Sequence, residues 1–278
     1  RPDGVVLLWD RDSDTIVAEF SGHQGVVRGL AFHPAGQQFV TAGEDATVRL
    51  WSIAGKELEV FKQPSGCSCI TFSPDGESIA VGMQRTVALW SLARKKLVRT
   101  FDGIYGELWN IEFDPSGATI AATSRTFFDK DWLSDLKVWN LQTGDRLFST
   151  RFKVNYDPQF SFHPTMPYVA VIGNNHQLIV LNTEAGRQIL QVPSRQTTQF
   201  VTYSPDGTRL LAWIDGLPKI VDATPEEVPF GSATVQPREQ VAAEAEAARW
   251  VLKQGGQVQV LIDHVAPLDV NRAEDLPS

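Results

Sequence analysis

The sequence predicts an all-β fold of short antiparallel strands, grouped in fours and stacked, with one group for roughly every 40 residues. Three observations predict it. A proline-bearing turn recurs at Pro34, Pro74, Pro115, Pro164 and Pro205. Two positions before each proline stands an aromatic residue, Phe32, Phe72, Phe113, Phe162 or Tyr203, and four before it an apolar one, Leu30, Ile70, Ile111, Phe160 or Val201. A second ladder, of residues that close an apolar run, passes through Trp9, Trp51, Trp90, Trp139, Leu181 and Val221.

The elements of the unit follow in order. Alternation of apolar residues running into a turn marks the first strand. The turns read "AFHPAG", "TFSPDG", "EFDPSG", "SFHPTM" and "TYSPDG". His, Ser or Asp leads, proline presets φ, and glycine follows in four of the five. The second strand comes next, in "QQFVTAG", "ESIAVGM", "ATIAATS", "PYVAVIG" and "TRLLAWI". The third is "VRLW", "VALW", "LKVW", "LIVL" and "KIV", and "VVLLWD" is an earlier copy of it. A fourth follows most of them, as in "TIVAEF", "KELEVF", "KKLVRTF", "DRLFSTRF" and "RQILQV". A lone four-stranded sheet cannot bury both faces, but sheets stacked radially cover one another. That is the blade of a β-propeller.

Composition narrows the function. The chain has 33 acidic and 25 basic residues, a net charge of -8, which disfavours nucleic acid and anionic lipid as partners. No apolar run reaches the roughly 18–20 residues of a membrane helix. Cys67 and Cys69, one residue apart on a strand, are expected on one face as core residues. No second pair completes a zinc site, so no metal is expected. No hydrolase, metalloprotease, P-loop or calcium-loop motif appears, so neither a catalytic residue nor a cofactor is assigned. His33 and His163 hold the leading turn position and read as turn residues. Three before each turn proline stand Ala31, Thr71, Glu112, Ser161 and Thr202, a small and mostly neutral set of candidates for a channel lining.

The first full copy, "SGHQGVVRGLAFHPAGQQFVTAGEDATVRLWS", resembles the WD40-repeat family. It carries Gly22-His23, the turn aspartate Asp45 and Trp51. The resemblance implies that His23, Thr41, Asp45 and Trp51 form a hydrogen-bonded group that locks the blade. The other copies depart from it: none has Gly-His, and "DGIYG" and "VPSRQ" stand there instead. Those blades are expected to hold by apolar packing.

The resemblance covers residues 1 to about 225, giving a WD40-type propeller over 1–224, a linker over 225–236 and an α/β extension over 237–278. Five copies of the first three strands follow a leading third and fourth strand. The expectation is that the rest of its own chain, upstream, supplies inner strands for the first blade and a strand that closes the propeller. Without it, open sheet edges are expected to associate. In the tail, "REQVAAEAEAARWVLKQGG" reads as a helix stopped by Gly255-Gly256, and "QVQVLID" as a strand. "RWVLKQGGQVQV…DLP" is similar to the lead-in of leucine-rich-repeat regions in some bacterial proteins, although no LxxLxL repeat is present.

One interval is too long. Pro115 and Pro164 are 49 residues apart where the other intervals are 40 or 41, and the closing-residue ladder agrees. The excess falls within "SRTFFDKDWLSD", after Ser124. It sets Phe127, Phe128 and Trp132 among Arg125, Asp129, Lys130 and Asp131 on a loop that the resemblance places on the top face. Aromatics among mixed charges mark a recognition surface, so Arg125, Phe127, Phe128, Lys130 and Trp132 are the candidate contacts for a protein or peptide partner. The alternative is that the loop folds back as a lid. The function expected is a non-catalytic interaction scaffold. A regulatory or sensor module of a larger protein, for example downstream of a kinase domain, and an enzymatic propeller using residues at its mouth stay open.

Overall fold

A computed structural model describes residues 3–153, 159–173, 177–192, 200–214, 217–222, 258–260 and 268–270. The chain divides into two compact units, Arg1–Thr150 and Arg151–Ser278. The first begins with a two-stranded sheet, β1 (Val6–Asp10) and β2 (Thr15–Phe20). Three four-stranded antiparallel sheets follow, each in simple sequential order: β3 (Val27–Phe32) to β6 (Glu57–Lys62) through β4 (Gln38–Gly43) and β5 (Thr47–Ser52), then β7 (Cys67–Phe72), β8 (Ser78–Met83), β9 (Val87–Ser91) and β10 (Lys96–Phe101). The third comprises β11 (Glu107–Phe113), β12 (Thr119–Phe128), β13 (Asp131–Asn140) and β14 (Arg146–Lys153). The second unit holds β15 (Phe160–Phe162), β16 (Tyr168–Ile172), β17 (Leu178–Asn182) and β18 (Arg187–Val192), then the three-stranded β19 (Val201–Tyr203), β20 (Arg209–Ile214) and β21 (Leu217–Asp222). A last pair, β22 (Val258–Val260) and β23 (Leu268–Val270), is antiparallel. The four-stranded sheets are propeller blades. The helix expected over 238–254 lies outside the described residues, as does any fourth strand after Asp222.

The recurring turn joins the first and second strands of a blade. In "SPDG" at 73–76 the Gly76 N–H donates to the Ser73 carbonyl at 2.9 Å, and Gly76 has φ of 74°, a left-handed conformation that favours glycine. The Ser73 hydroxyl accepts from the Ser78 N–H at 3.0 Å and donates to the Asp75 carboxylate at 2.5 Å. His33 serves the same end with its ring, Nδ1 accepting from the Ala35 N–H at 3.0 Å, and His163 accepts from Thr165 and Met166. Both histidines, and both copies of "SPDG", are turn punctuation.

Register shifts interrupt first and last strands alike, between Val27 and Gly29, Cys67 and Cys69, and Leu108 and Asn110, and again between Leu8 and Trp9 and between Leu50 and Trp51. The shift at Ser68 overturns one sequence expectation. The extra residue reverses the alternation, so Cys67 packs in the core with Val40, Val81 and Met83, whereas Cys69 packs in the next core with Ile111, Phe101 and Leu89. Both thiols are free and buried, and burial foremost pushes each up to about 12.

Those two cores explain why the sheets stack. Each is built from the facing sides of successive blades, and residues such as Val40, Val48, Ile79, Val87 and Ile120 are fully buried. Burying one such side chain contributes about 1.5–3 kcal/mol. The β1–β2 sheet is different. Trp9, Leu30 and Phe32 are 54, 45 and 52% exposed, where the matching Trp51, Ile70 and Phe72 are 3, 7 and 7% exposed. Leu30 and Phe32 lie on β3, the strand that follows this two-stranded sheet, whereas Ile70 and Phe72 pack with Val40 and Ala42 of the complete sheet before them.

Candidate functional site

The first full blade carries a polar group at its heart. Val40, Phe39 and Thr41 on β4 pair with Leu50, Trp51 and Arg49 on β5, which sets Thr41 within reach of the Trp51 indole. Trp51 Nε1–H donates to Thr41 Oγ1 at 2.9 Å. Thr41 Oγ1 lies 2.7 Å from His23 Nε2, and His23 Nδ1 lies 3.0 Å from Asp45 Oδ1. Because Asp45 only accepts, its bond fixes the proton of the neutral ring on Nδ1, and Nε2 then accepts from the Thr41 hydroxyl. Each hydrogen is used once, from indole to carboxylate. Burial alone would raise the Asp45 carboxyl, but the Gln24 N–H, the Thr47 hydroxyl and His23 outweigh it and hold it at about 2. Such a closed set satisfies every buried polar atom in it and offers none to a substrate.

The next blades lack it. In β8, Val81 occupies the position of Thr41, two residues beyond the pair Ile79–Trp90, and among the described residues the Trp90 Nε1–H is buried without an acceptor. In the third blade, Ile104, Ala122 and Trp139 share one apolar core.

The 49-residue interval is not a loop. β12 and β13 each run to ten residues, paired without interruption from Thr119–Asn140 to Phe128–Asp131. The reason is local. Aromatic residues favour strands, and Asp129 and Lys130 take φ of 46° and 69°, the two positive values of a type I′ turn. The hairpin therefore extends beyond β11, whose first residue, Glu107, pairs with Arg125.

Four of the five candidate contacts lie on its strands and Lys130 in its turn. Phe127 faces Trp132 across the ribbon, with ring centroids 5.1 Å apart, and the Arg125 guanidinium lies 4.0 Å from the Trp132 centroid. Alternation sends Phe128 to the opposite face. Phe127, Phe128 and Trp132 are 60, 69 and 39% exposed. They do not fold back as a lid. Two further aromatics share this end of the sheet: Tyr105 and Trp109, 60 and 39% exposed. Tyr105 stands in the "DGIYG" that replaces Gly-His, and its ring lies 5.4 Å from Lys137 Nζ, which pairs with Asp135 at 2.9 Å, both buried. Trp109 is the extra residue at a register shift, so strand alternation would never have assigned it outward.

Glu112 is the other group of note. Burial raises its carboxyl to about 7, against a hydrogen bond from the Asn110 amide at 3.1 Å. It stands singly: among the described residues, no three His, Cys, Asp or Glu side chains are grouped to hold a metal.

Comparison with known proteins agrees with this anatomy. The family described as "WD domain, G-beta repeat" matches residues 14–52 and 55–91. The chain is 27% identical over 233 residues to a periodic tryptophan protein 2 homolog of Dictyostelium discoideum, covering 80% of this chain and 24% of that protein. It is 27% identical over 185 residues to apoptotic protease-activating factor 1 of Mus musculus, covering 51% and 14%. It thus spans at most about a quarter of the length of these relatives. Among solved structures, Kuenenia stuttgartiensis hydrazine synthase superposes with a TM-score of 0.65 over 79% of this chain and 71% of that one, at 17% identity, a likeness of fold alone. The repeated strand ladder, the blade geometry and the two matched repeats agree: this chain carries WD40-type repeats, matched at residues 14–52 and 55–91.

Proposed function

We propose that this chain is a protein-interaction module and that the β12–β13 hairpin is its recognition surface. The observation that carries this reading is the concentration of five exposed aromatic side chains, Tyr105, Trp109, Phe127, Phe128 and Trp132, at one end of one blade. Aromatic and arginine side chains dominate binding energy at protein interfaces, and a monomer surface seldom gathers them without use. The Arg125–Trp132–Phe127 stack is already formed, so little side-chain entropy is lost on binding. Lys130 and the neighbouring acids form a polar rim. The lock of His23, Thr41, Asp45 and Trp51 holds the scaffold and takes no part in contact. One relative is named for its association with other proteins, the DDB1- and CUL4-associated factor 13 of Dictyostelium discoideum, 26% identical over 136 residues.

The test is a photo-reactive phenylalanine analogue placed at position 128 of the protein in its native cells, with the same analogue at Ser116, in a turn at the other end of the blade, as control. A discrete polypeptide adduct from position 128 and none from 116 is expected. Adducts of equal yield from both positions, or none from 128, would remove the hairpin from the interface.

A further inference from the structure

Resting on the hairpin as the recognition surface, we infer that its partner binds as an extended strand added to the open edge of β12 at Phe127. β11 stops short of the hairpin: its first residue, Glu107, pairs with Arg125, and nothing among the described residues pairs with Thr126, Phe127 or Phe128 on that side. Gly106 is the cause. Its φ of 89° turns the chain away, and a Cβ there would lie 2.1 Å from the Arg125 carbonyl oxygen. In a two-residue hairpin the residues flanking the turn exchange both backbone bonds, here Phe128 with Asp131. Phe127, one residue back, must then turn its N–H and C=O to the opposite, open side.

Three last-strand edges of this unit, those of β2, β6 and β10, are blunted. Register shifts break the last-strand ladders of β1–β2, β5–β6 and β9–β10, which twist those edges away from pairing. The β12–β13 ladder is regular to its tip. An incoming strand would exchange two hydrogen bonds with Phe127. It would also bring alternate side chains onto the two faces of the ribbon, one lined by Phe127 and Trp132, the other by Phe128. That pattern selects a polypeptide with apolar residues at every second position. A polyproline-type peptide would use the rings and leave the backbone of Phe127 untouched.

The experiment uses the full chain. Random linear peptides displayed on phage are selected on the protein and counter-selected on the F128A/W132A variant. Amide hydrogen exchange of the phenylalanine-labelled protein is then followed with and without a selected peptide. In the free protein the Phe127 amide is expected to exchange fast and the Phe128 amide slowly. On peptide addition, Phe127 is expected to slow by roughly tenfold or more. Hairpin-dependent binding with Phe127 exchange unchanged would overturn strand addition and leave the recognition surface standing. Failure to obtain any peptide that needs Phe128 and Trp132 would overturn both.

Discussion

Replacing Thr41 by valine tests the blade lock at its centre. The side chains are nearly isosteric, so packing is kept, and Thr41 is fully buried with His23 and Trp51 each 3% exposed. Valine removes the acceptor of the Trp51 indole N–H and the donor to His23 Nε2. Each buried polar atom left unpaired costs about 1–3 kcal/mol, and a methyl in place of a hydroxyl returns about 1 kcal/mol. The net loss expected is about 1–5 kcal/mol, or roughly 2–20 °C in Tm for a domain of this size. The chain itself shows that one orphan is tolerated, since Val81 leaves Trp90 in that state in the neighbouring blade. The variant should therefore fold. Urea titration followed by tryptophan fluorescence reads the change, and His23→Leu added to Thr41→Val should cost at least about 1 kcal/mol less than the two single losses added, because the group acts as a unit. A Thr41→Val protein within about 0.5 kcal/mol of the parent would refute the lock as a stabilising device.

Three other outcomes follow. Asp45 has a folded pKa of about 2 against 3.8 free, so its contribution, about 2 kcal/mol, is present above pH 3.8 and is lost as pH falls toward 2; Asp45→Asn should flatten that limb of the urea-stability profile. Glu112 has the opposite sign. Its folded pKa, about 7, exceeds the free 4.5, so stability should decline as pH rises from 4.5 through 7, by about 1–3 kcal/mol given its partial exposure, and Glu112→Gln should remove the decline. Lys130→Gly relieves a φ of 69° and should raise hairpin stability by about 0.5–1 kcal/mol, read by hydrogen exchange of the Phe128 amide; a loss would contradict the I′ turn.

The fold was legible because its signals repeat. A turn proline, an aromatic two before it and a closing tryptophan recur in register, and each copy checks the others. The lock was legible as a resemblance through Gly22-His23 and Asp45, and the geometry adds its direction, from indole to carboxylate. The hairpin was legible only as excess length. Sequence spacing cannot separate a loop from two strands that grow together, because the turn here is Asp-Lys rather than Asn-Gly and both residues must adopt positive φ to make it. Cys67 and Cys69 were misplaced for a related reason. A single extra residue at Ser68 reverses every face assignment before it, and nothing in "CSC" announces a register shift. Tyr105 and Trp109 escaped notice because one lies outside a strand and the other at such a shift.

The account rests most heavily on the hairpin as a recognition surface. The direct measurement is calorimetric titration of the partner identified by cross-linking at position 128 against the parent protein and the F128A/W132A variant, with unchanged unfolding curves for the two proteins as the control for folding. Buried aromatic anchors are each worth about 2 kcal/mol or more, so the account predicts affinity weakened by roughly 100-fold or more. Affinities that agree within about twofold would contradict it.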